Sequence, residues 1–139
     1  MPKVQVTNSK GLVQSTGSGP SDMRSGLGIG VQAVAAAGST QGTAAAISAA
    51  EGGLELVSAS NGTKGVILPA LSSVPTGTTF LVMNTVPGGQ TLKVYPASGD
   101  KFLPAADDAP ISIAASSMLI CVAADDDQWV GAEPAAVVA

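Results

Sequence analysis

At 139 residues the chain has room for one domain plus an arm or a tail. Only 12% of residues are charged, the net charge is −4 and the six cations are scattered, which excludes a phosphate-neutralising nucleic-acid surface. Histidine is absent and cysteine occurs once, which removes histidine acid–base and nucleophilic centres, a structural zinc site and any intrachain disulfide.

The first element is Lys3-Val4-Gln5-Val6-Thr7, an alternating patch whose valines share one side if it is extended. It is not a signal peptide, and no apolar run approaches the ~20 residues that cross a bilayer, so a soluble, cytoplasmically made protein is expected. From Ser15 to Gly30 the chain is mostly Gly, Ser and polar residues, too poor in apolar side chains to build a core. Gly26-Leu27-Gly28-Ile29-Gly30 follows no strand and lacks the Gly-Lys-Ser/Thr ending of a phosphate loop. Residues 1–32 therefore read as an extended N-terminal arm.

Residues 33–131 read as a β domain. Its first part is ambiguous: Thr43 is placed to cap a short helix over Ala44–Ala50, but Ile47 is that segment's only large apolar residue, which favours a small-residue strand. Leu54-Glu55-Leu56-Val57 and Gly65-Val66-Ile67-Leu68 flank Asn61-Gly62, a hairpin-type turn, and Pro69 ends the second strand. Thr78 to Asn84 is apolar on both faces, so it should be a central strand covered on each side by a sheet or a subunit. Pro87-Gly88-Gly89 turns the chain into Thr91–Tyr95, which reads as half-exposed, with Leu92 and Val94 on one face. Phe102-Leu103, Ile111-Ser112-Ile113, Met118–Ala123 and Gln128-Trp129-Val130 follow, and residues 132–139 form a C-terminal tail.

Short strands separated by turn residues predict an all-β fold, a small β-sandwich or β-barrel. The apolar fraction is 45%, yet much of it is alanine and only four residues are aromatic. A core that thin in a short chain calls for association with further copies.

Candidate chemistry is sparse. Asp107-Asp108 and Asp125-Asp126-Asp127 are the grouped carboxylates, but sequence neighbours in extended chain point to opposite sides. The second group lacks the alternating ligand pattern of calcium loops and reads as a solvated turn, so no metal or cofactor is expected. Cys121 sits in an apolar strand with no base or cation nearby and reads as core. Trp129 fits either a sugar-stacking or interface platform or the closing of the core; the scarcity of large side chains favours the core, and Tyr95, just before Pro96 at the end of a half-exposed strand, reads as structural. Asn61-Gly62-Thr63 matches a glycosylation pattern but, without a secretory route, reads as a turn. An enzyme is not expected.

Four segments together resemble a module of tailed-bacteriophage virion proteins: Lys64-Gly65-Val66-Ile67-Leu68-Pro69, Leu92-Lys93-Val94-Tyr95-Pro96-Ala97-Ser98-Gly99-Asp100, Ala109-Pro110-Ile111-Ser112-Ile113-Ala114-Ala115 and Gln128-Trp129. The module is similar to capsid decoration (cement) proteins and to some head-fibre and tail-fibre proteins. Family versions often follow the Gly-Asp with Ile-Asn-Gly, where this chain has Lys101-Phe102-Leu103-Pro104. The resemblance implies a homotrimer without catalytic residues or cofactor, bound to the major capsid protein on the outer surface of the virion, with no nucleic-acid or membrane partner. Lys3, Val4, Gln5, Val6 and Thr7 are then the candidate capsid-binding arm, adding a strand to an exposed sheet edge. The alternative is a receptor- or glycan-binding fibre module, with Tyr95, Phe102 and Trp129 as the candidate aromatics.

Overall fold

Apolar residues alternating with polar ones, in runs cut short by Pro, Gly and Asn, build strands and short 3-10 turns and no α-helix among the described residues. The structure, a computed structural model, describes residues 3–7, 11–16, 30–49, 53–59 and 61–132. The chain divides into two units, Met1–Gly30 and Val31–Ala139.

In the first unit β1 (Lys3–Thr7) pairs antiparallel with β2 (Gly11–Thr16), with Val4 opposite Gln14 and Val6 opposite Leu12. The expected single extended strand is thus one half of a two-stranded ribbon. Its backbone donors and acceptors find partners in Gly11–Thr16, part of the expected arm. The Gly/Ser-rich stretch and the phosphate-loop candidate fall mostly on residues 17–29, outside the described residues, as do 133–139 of the expected tail.

The second unit starts with β3 (Val31–Ala35), so Val31 and Gln32, expected in the arm, belong to the β domain. Among the described residues no α-helix follows it. A 3-10 turn at Gln41–Thr43, closed by reciprocal Thr40 and Thr43 contacts, leads to the two-residue β4 (Ala45–Ala46). Then come β5 (Leu54–Ser58), β6 (Gly65–Ile67), β7 (Thr79–Asn84) and β8 (Leu92–Tyr95), with a second 3-10 turn at Leu71–Ser73 between β6 and β7.

These six strands alternate between two sheets. β3, β5 and β7 stack in parallel in one, and β4, β6 and β8 stack in parallel in the other. That is the connectivity of a short β-solenoid, not of the expected sandwich or barrel. Each coil lays one strand in each sheet, and Val31, Leu54 and Leu81 lie side by side on successive coils. Asn61-Gly62 is accordingly a corner between sheets and not a hairpin: Asn61 Oδ1 accepts from the Thr63 N–H at 3.1 Å and its hydroxyl at 2.6 Å. Pro87-Gly88-Gly89 is a similar corner, with Gly88 and Gly89 at φ 79° and 73°, values that favour glycine. Alternation dictates which side chains face inward, and both connections satisfy it equally well.

The last four strands close the solenoid. β9 (Lys101–Leu103), β10 (Ile111–Ile113), β11 (Met118–Ala123) and β12 (Gln128–Ala132) extend the sheets to β3-β5-β7-β11-β12-β9 and β10-β8-β6-β4. β10 and β11 run antiparallel to β8 and β7, while β9 is parallel to β12. β12 continues through Gly131 into Ala132, the first residue of the expected tail. A Cβ at Gly131 would stand 2.8 Å from Ile111 Cδ1, so the missing side chain lets Ile111 close over the strand.

One core joins the two sheets. Val34, Val57, Phe80, Val82, Leu119, Cys121 and Trp129 enter it from the larger sheet, and Val66, Leu92, Val94 and Ile113 from the smaller. Phe80 and Trp129 meet edge to face at 6.0 Å and 69°. β7 is central, between β5 and β11, as its apolar character on both faces predicts. Its last inward side chain, Asn84, is fully buried. The Asn84 amide nitrogen lies 2.9, 3.1 and 3.0 Å from the carbonyls of Gln90, Ile113 and Ala114, and its oxygen accepts from the Val86 N–H at 2.9 Å. Asn84 thus ties the end of β7 to the corner after it and to the end of β10.

Candidate functional site

The grouped carboxylates disperse once the chain folds. Asp108, in the left-handed region at φ 63°, turns its Oδ1 to the Gln41 side-chain amide and the Gly99 N–H, each at 2.9 Å. Its neighbour Asp107 lies 3.8 Å from the Lys101 ammonium. The Gln41 hydrogen bond, then that from Gly99, holds the Asp108 carboxyl below its ordinary value of 3.8. Gln41 also donates to the Pro96 carbonyl at 3.0 Å, and Asp100 Oδ2 accepts from the Leu71 N–H at 3.0 Å. This polar set pins the 96–108 loop to the two 3-10 turns.

The acidic turn between β11 and β12 is held in the same way. Asp125 Oδ1 accepts from the Asp127 N–H at 3.1 Å, and Asp127 pairs with Lys101 at 3.0 Å. The hydrogen bond from Lys101 depresses the Asp127 carboxyl. The same bond, reinforced by the Asp127 charge, raises Lys101 above 10.5. Among the described residues no group of three or more acidic, His or Cys side chains is arranged to hold a metal ion.

Cys121 is fully buried in β11, and loss of solvent pushes its thiol up to about 12, which leaves no thiolate to react at neutral pH. All four aromatic side chains are interior: Phe80, Tyr95, Phe102 and Trp129 are at most 6% exposed. Trp129 closes the core, as its scarcity of large companions suggests, and neither it nor Phe102 or Tyr95 offers a ring to a sugar. Tyr95 was expected on a half-exposed side. It is covered because its ring lies against Gly65, where a Cβ would come within 2.8 Å of Cε2, and its hydroxyl donates to the Ser39 carbonyl at 2.9 Å.

The candidate arm residues Lys3, Val4, Gln5, Val6 and Thr7 form β1, and among the described residues β1 and β2 pair only with each other. Each strand of this ribbon therefore keeps an unpaired edge within the described residues.

Three of the four segments given for the phage resemblance lie in the smaller sheet, and the fourth, Gln128-Trp129, opens β12 in the larger. Lys64–Pro69 contains β6, Leu92–Asp100 contains β8, and Ala109–Ala115 contains β10. These three strands are adjacent, with Lys93 lying between Gly65 and Ser112.

Sequence reading missed the outward face of the larger sheet as a unit. Three cross-strand rows lie there. Val31, Leu54, Leu81, Ile120 and Ala132 form the first; Ala33, Leu56, Met83 and Met118 the second; Thr79, Val122, Val130 and Leu103 the third. Thr79 is the one polar member and no member is charged. Val31 is 60% exposed, Val130 and Leu103 are each 43% and Leu56 is 37%. The signal was present in Thr78–Asn84 and Met118–Ala123, both apolar on both faces, but joining them required knowing that β7 and β11 are neighbours.

Scans of the chain against protein families, curated proteins and solved structures found no match.

Proposed function

We propose that the chain is a structural protein of a tailed-bacteriophage virion, a decoration protein that binds the outer surface of the head as a homotrimer and braces it by bridging capsid subunits. What supports this reading is the placement of β6, β8 and β10: three of the four segments that bear the resemblance, far apart in sequence, are adjacent strands of one sheet. Asp107, Asp108, Asp125 and Asp127, the lone thiol and the aromatic rings are taken up in holding the fold together, which suits a protein that packs and binds. The fibre-module alternative loses support, because its three aromatic candidates are buried.

The capsid contact falls to the N-terminal ribbon. An unpaired strand edge extends a partner's sheet through backbone hydrogen bonds, and β1–β2 offers such edges. One such contact is weak. Three on one trimer act together, and linkage raises overall affinity by ~10²–10⁴.

The test is co-sedimentation with heads built from the major capsid protein encoded alongside this chain. Full-length protein is expected to pellet with heads. A chain lacking residues 1–10 is expected to remain folded and trimeric and to stay in the supernatant. Retention of the truncated chain at wild-type occupancy refutes the ribbon as the contact. Failure of the full-length chain to bind refutes the decoration role.

A further inference from the structure

The corner between β5 and β6 sets an exposed asparagine, Asn61, directly before a glycine. Glycine has no side chain to shield its backbone nitrogen, and that nitrogen can close a five-membered ring on the preceding carboxamide. The Asn61 carboxamide is folded forward over the next peptide: its Oδ1 accepts from the Thr63 N–H at 3.1 Å and the Thr63 hydroxyl at 2.6 Å. The Lys64 N–H goes to the Asn61 carbonyl at 3.4 Å, so the Gly62 N–H has no partner inside the turn. Its partner comes from the next coil, where the Gln90 side-chain oxygen accepts it. Gln90 follows the 87–89 corner and lies over Gly62: a Cβ there would stand 3.1 Å from Gln90 Cβ and 3.3 Å from the Thr91 carbonyl oxygen. The Gln90 backbone is fixed in turn, because its carbonyl accepts from the Asn84 amide at 2.9 Å.

We infer that Asn61-Gly62 is a self-modification site, a deamidation centre that Gln90 holds closed. In the reaction the Gly62 nitrogen gives up its proton and attacks Asn61 Cγ. The N–Cγ bond forms, the Cγ–Nδ2 bond breaks, and the amide nitrogen leaves with the proton as ammonia. Water then opens the cyclic imide at either of its carbonyls, giving aspartate or isoaspartate at position 61. Water is the one co-reactant, and no electrons change hands. A hydrogen bond to Gln90 keeps the proton on the Gly62 nitrogen and fixes its direction, which opposes the first step. Thr63 acts on the step after it: attack puts negative charge on Asn61 Oδ1, where two donors already point. Release of Gln90 therefore exposes a corner prepared to react. Either product adds a negative charge, and isoaspartate also lengthens the main chain by one carbon where the chain crosses between sheets.

The experiment keeps the full chain in warm, mildly alkaline buffer and follows conversion at Asn61 by peptide mapping with isoaspartate detection. Hydroxylamine, which cleaves a cyclic imide, traps the intermediate as a break between Asn61 and Gly62. Trp129 emission reports an intact fold, and buried Asn84 is the internal control. Folded wild type is expected to convert more slowly than wild type in urea. Gln90→Leu, which removes the acceptor, is expected to convert about 2–10-fold faster than folded wild type, the factor one ordinary hydrogen bond supplies. Adding Thr63→Val should slow that variant again. If Gln90→Leu loses native emission, Gln90→Ala takes its place. Folded wild type that converts as fast as in urea overturns the role of Gln90, as does a Gln90 variant with native emission and the wild-type rate. A double variant as fast as Gln90→Leu alone removes Thr63 from the reaction. Absence of both conversion and hydroxylamine cleavage in urea overturns the site itself.

Discussion

Replacing Asn84 by alanine isolates what holds the last coil of the solenoid shut. The change removes the acceptor of the Val86 N–H and the donor to the Gln90 and Ile113 carbonyls; for the Val86 N–H and the Gln90 carbonyl no other hydrogen bond is found among the described residues. Ala114 keeps a second donor, the Ser117 N–H at 3.2 Å, so its carbonyl is not stranded. Each buried group left without a partner costs about 1–3 kcal/mol. Gln90 is half-buried and can recruit water, which brings the expected total to about 2–4 kcal/mol. Against a typical domain stability of about 5–15 kcal/mol that is a large fraction. It corresponds to a fall in melting temperature of roughly 10 °C for a unit of this size. Circular-dichroism melts should be run at one fixed protein concentration, because association makes the midpoint depend on it. Asn84→Asp should fall further: it keeps the acceptor for Val86 but sets a carboxylate against three carbonyls. An alanine variant that melts within about 2 °C of wild type would refute the role given to this side chain.

Gly65→Ala should lose about 1–3 kcal/mol by overpacking, since the new methyl meets both the Tyr95 ring and the Lys93 carbonyl oxygen at 2.9 Å, and backbone cannot move aside cheaply. The denaturation midpoint should drop at constant slope, and an unchanged midpoint would contradict the packing described. Cys121 should ignore a disulfide reagent such as DTNB in native buffer and react stoichiometrically in denaturant; rapid native labelling would mean that β11 is not interior. The polar ties set the acid and alkaline limits. Asp108 and Asp127 lie below 3.8 when folded, so their contribution is present above that value and is lost as pH falls through their folded pKa. Lys101 lies above 10.5, so its contribution holds below that value and is lost as pH rises further. These side chains are exposed or half-buried and in reach of solvent, and the melting temperature should show a broad plateau with a shallow decline at the acid end. Lys101→Met should make the alkaline decline shallower, leaving the part due to Cys121, whose buried thiol ionises readily only after unfolding; an unaltered profile would show that the Asp127 pair contributes nothing.

Much of the local structure was legible in the residues themselves. Period-two alternation located β5, β7, β8, β10 and β11, and Pro69 and the 87–89 corner marked breaks that the structure keeps. The burial of Cys121 and Trp129 followed from having few bulky side chains to fill a core. The dispersal of Asp107 and Asp108 to separate partners was also foreseeable, since successive side chains diverge in extended chain.

Strand partnership was not legible. Alternation states which side chains face inward and is silent about which strand lies alongside, so Asn61-Gly62 could be read as a hairpin although the chain crosses there to the opposite sheet. Successive coils are joined by unequal lengths of chain, which leaves no fixed sequence period to betray a solenoid. The outward apolar rows have the same origin. Leu54, Leu81 and Ile120 are unremarkable one at a time, and they form a surface only because parallel stacking of coils and an antiparallel closing strand bring them into register. The amino-acid order by itself determined strand, corner and interior; long-range pairing, a property of contacts between distant residues, decided the architecture and the face it presents.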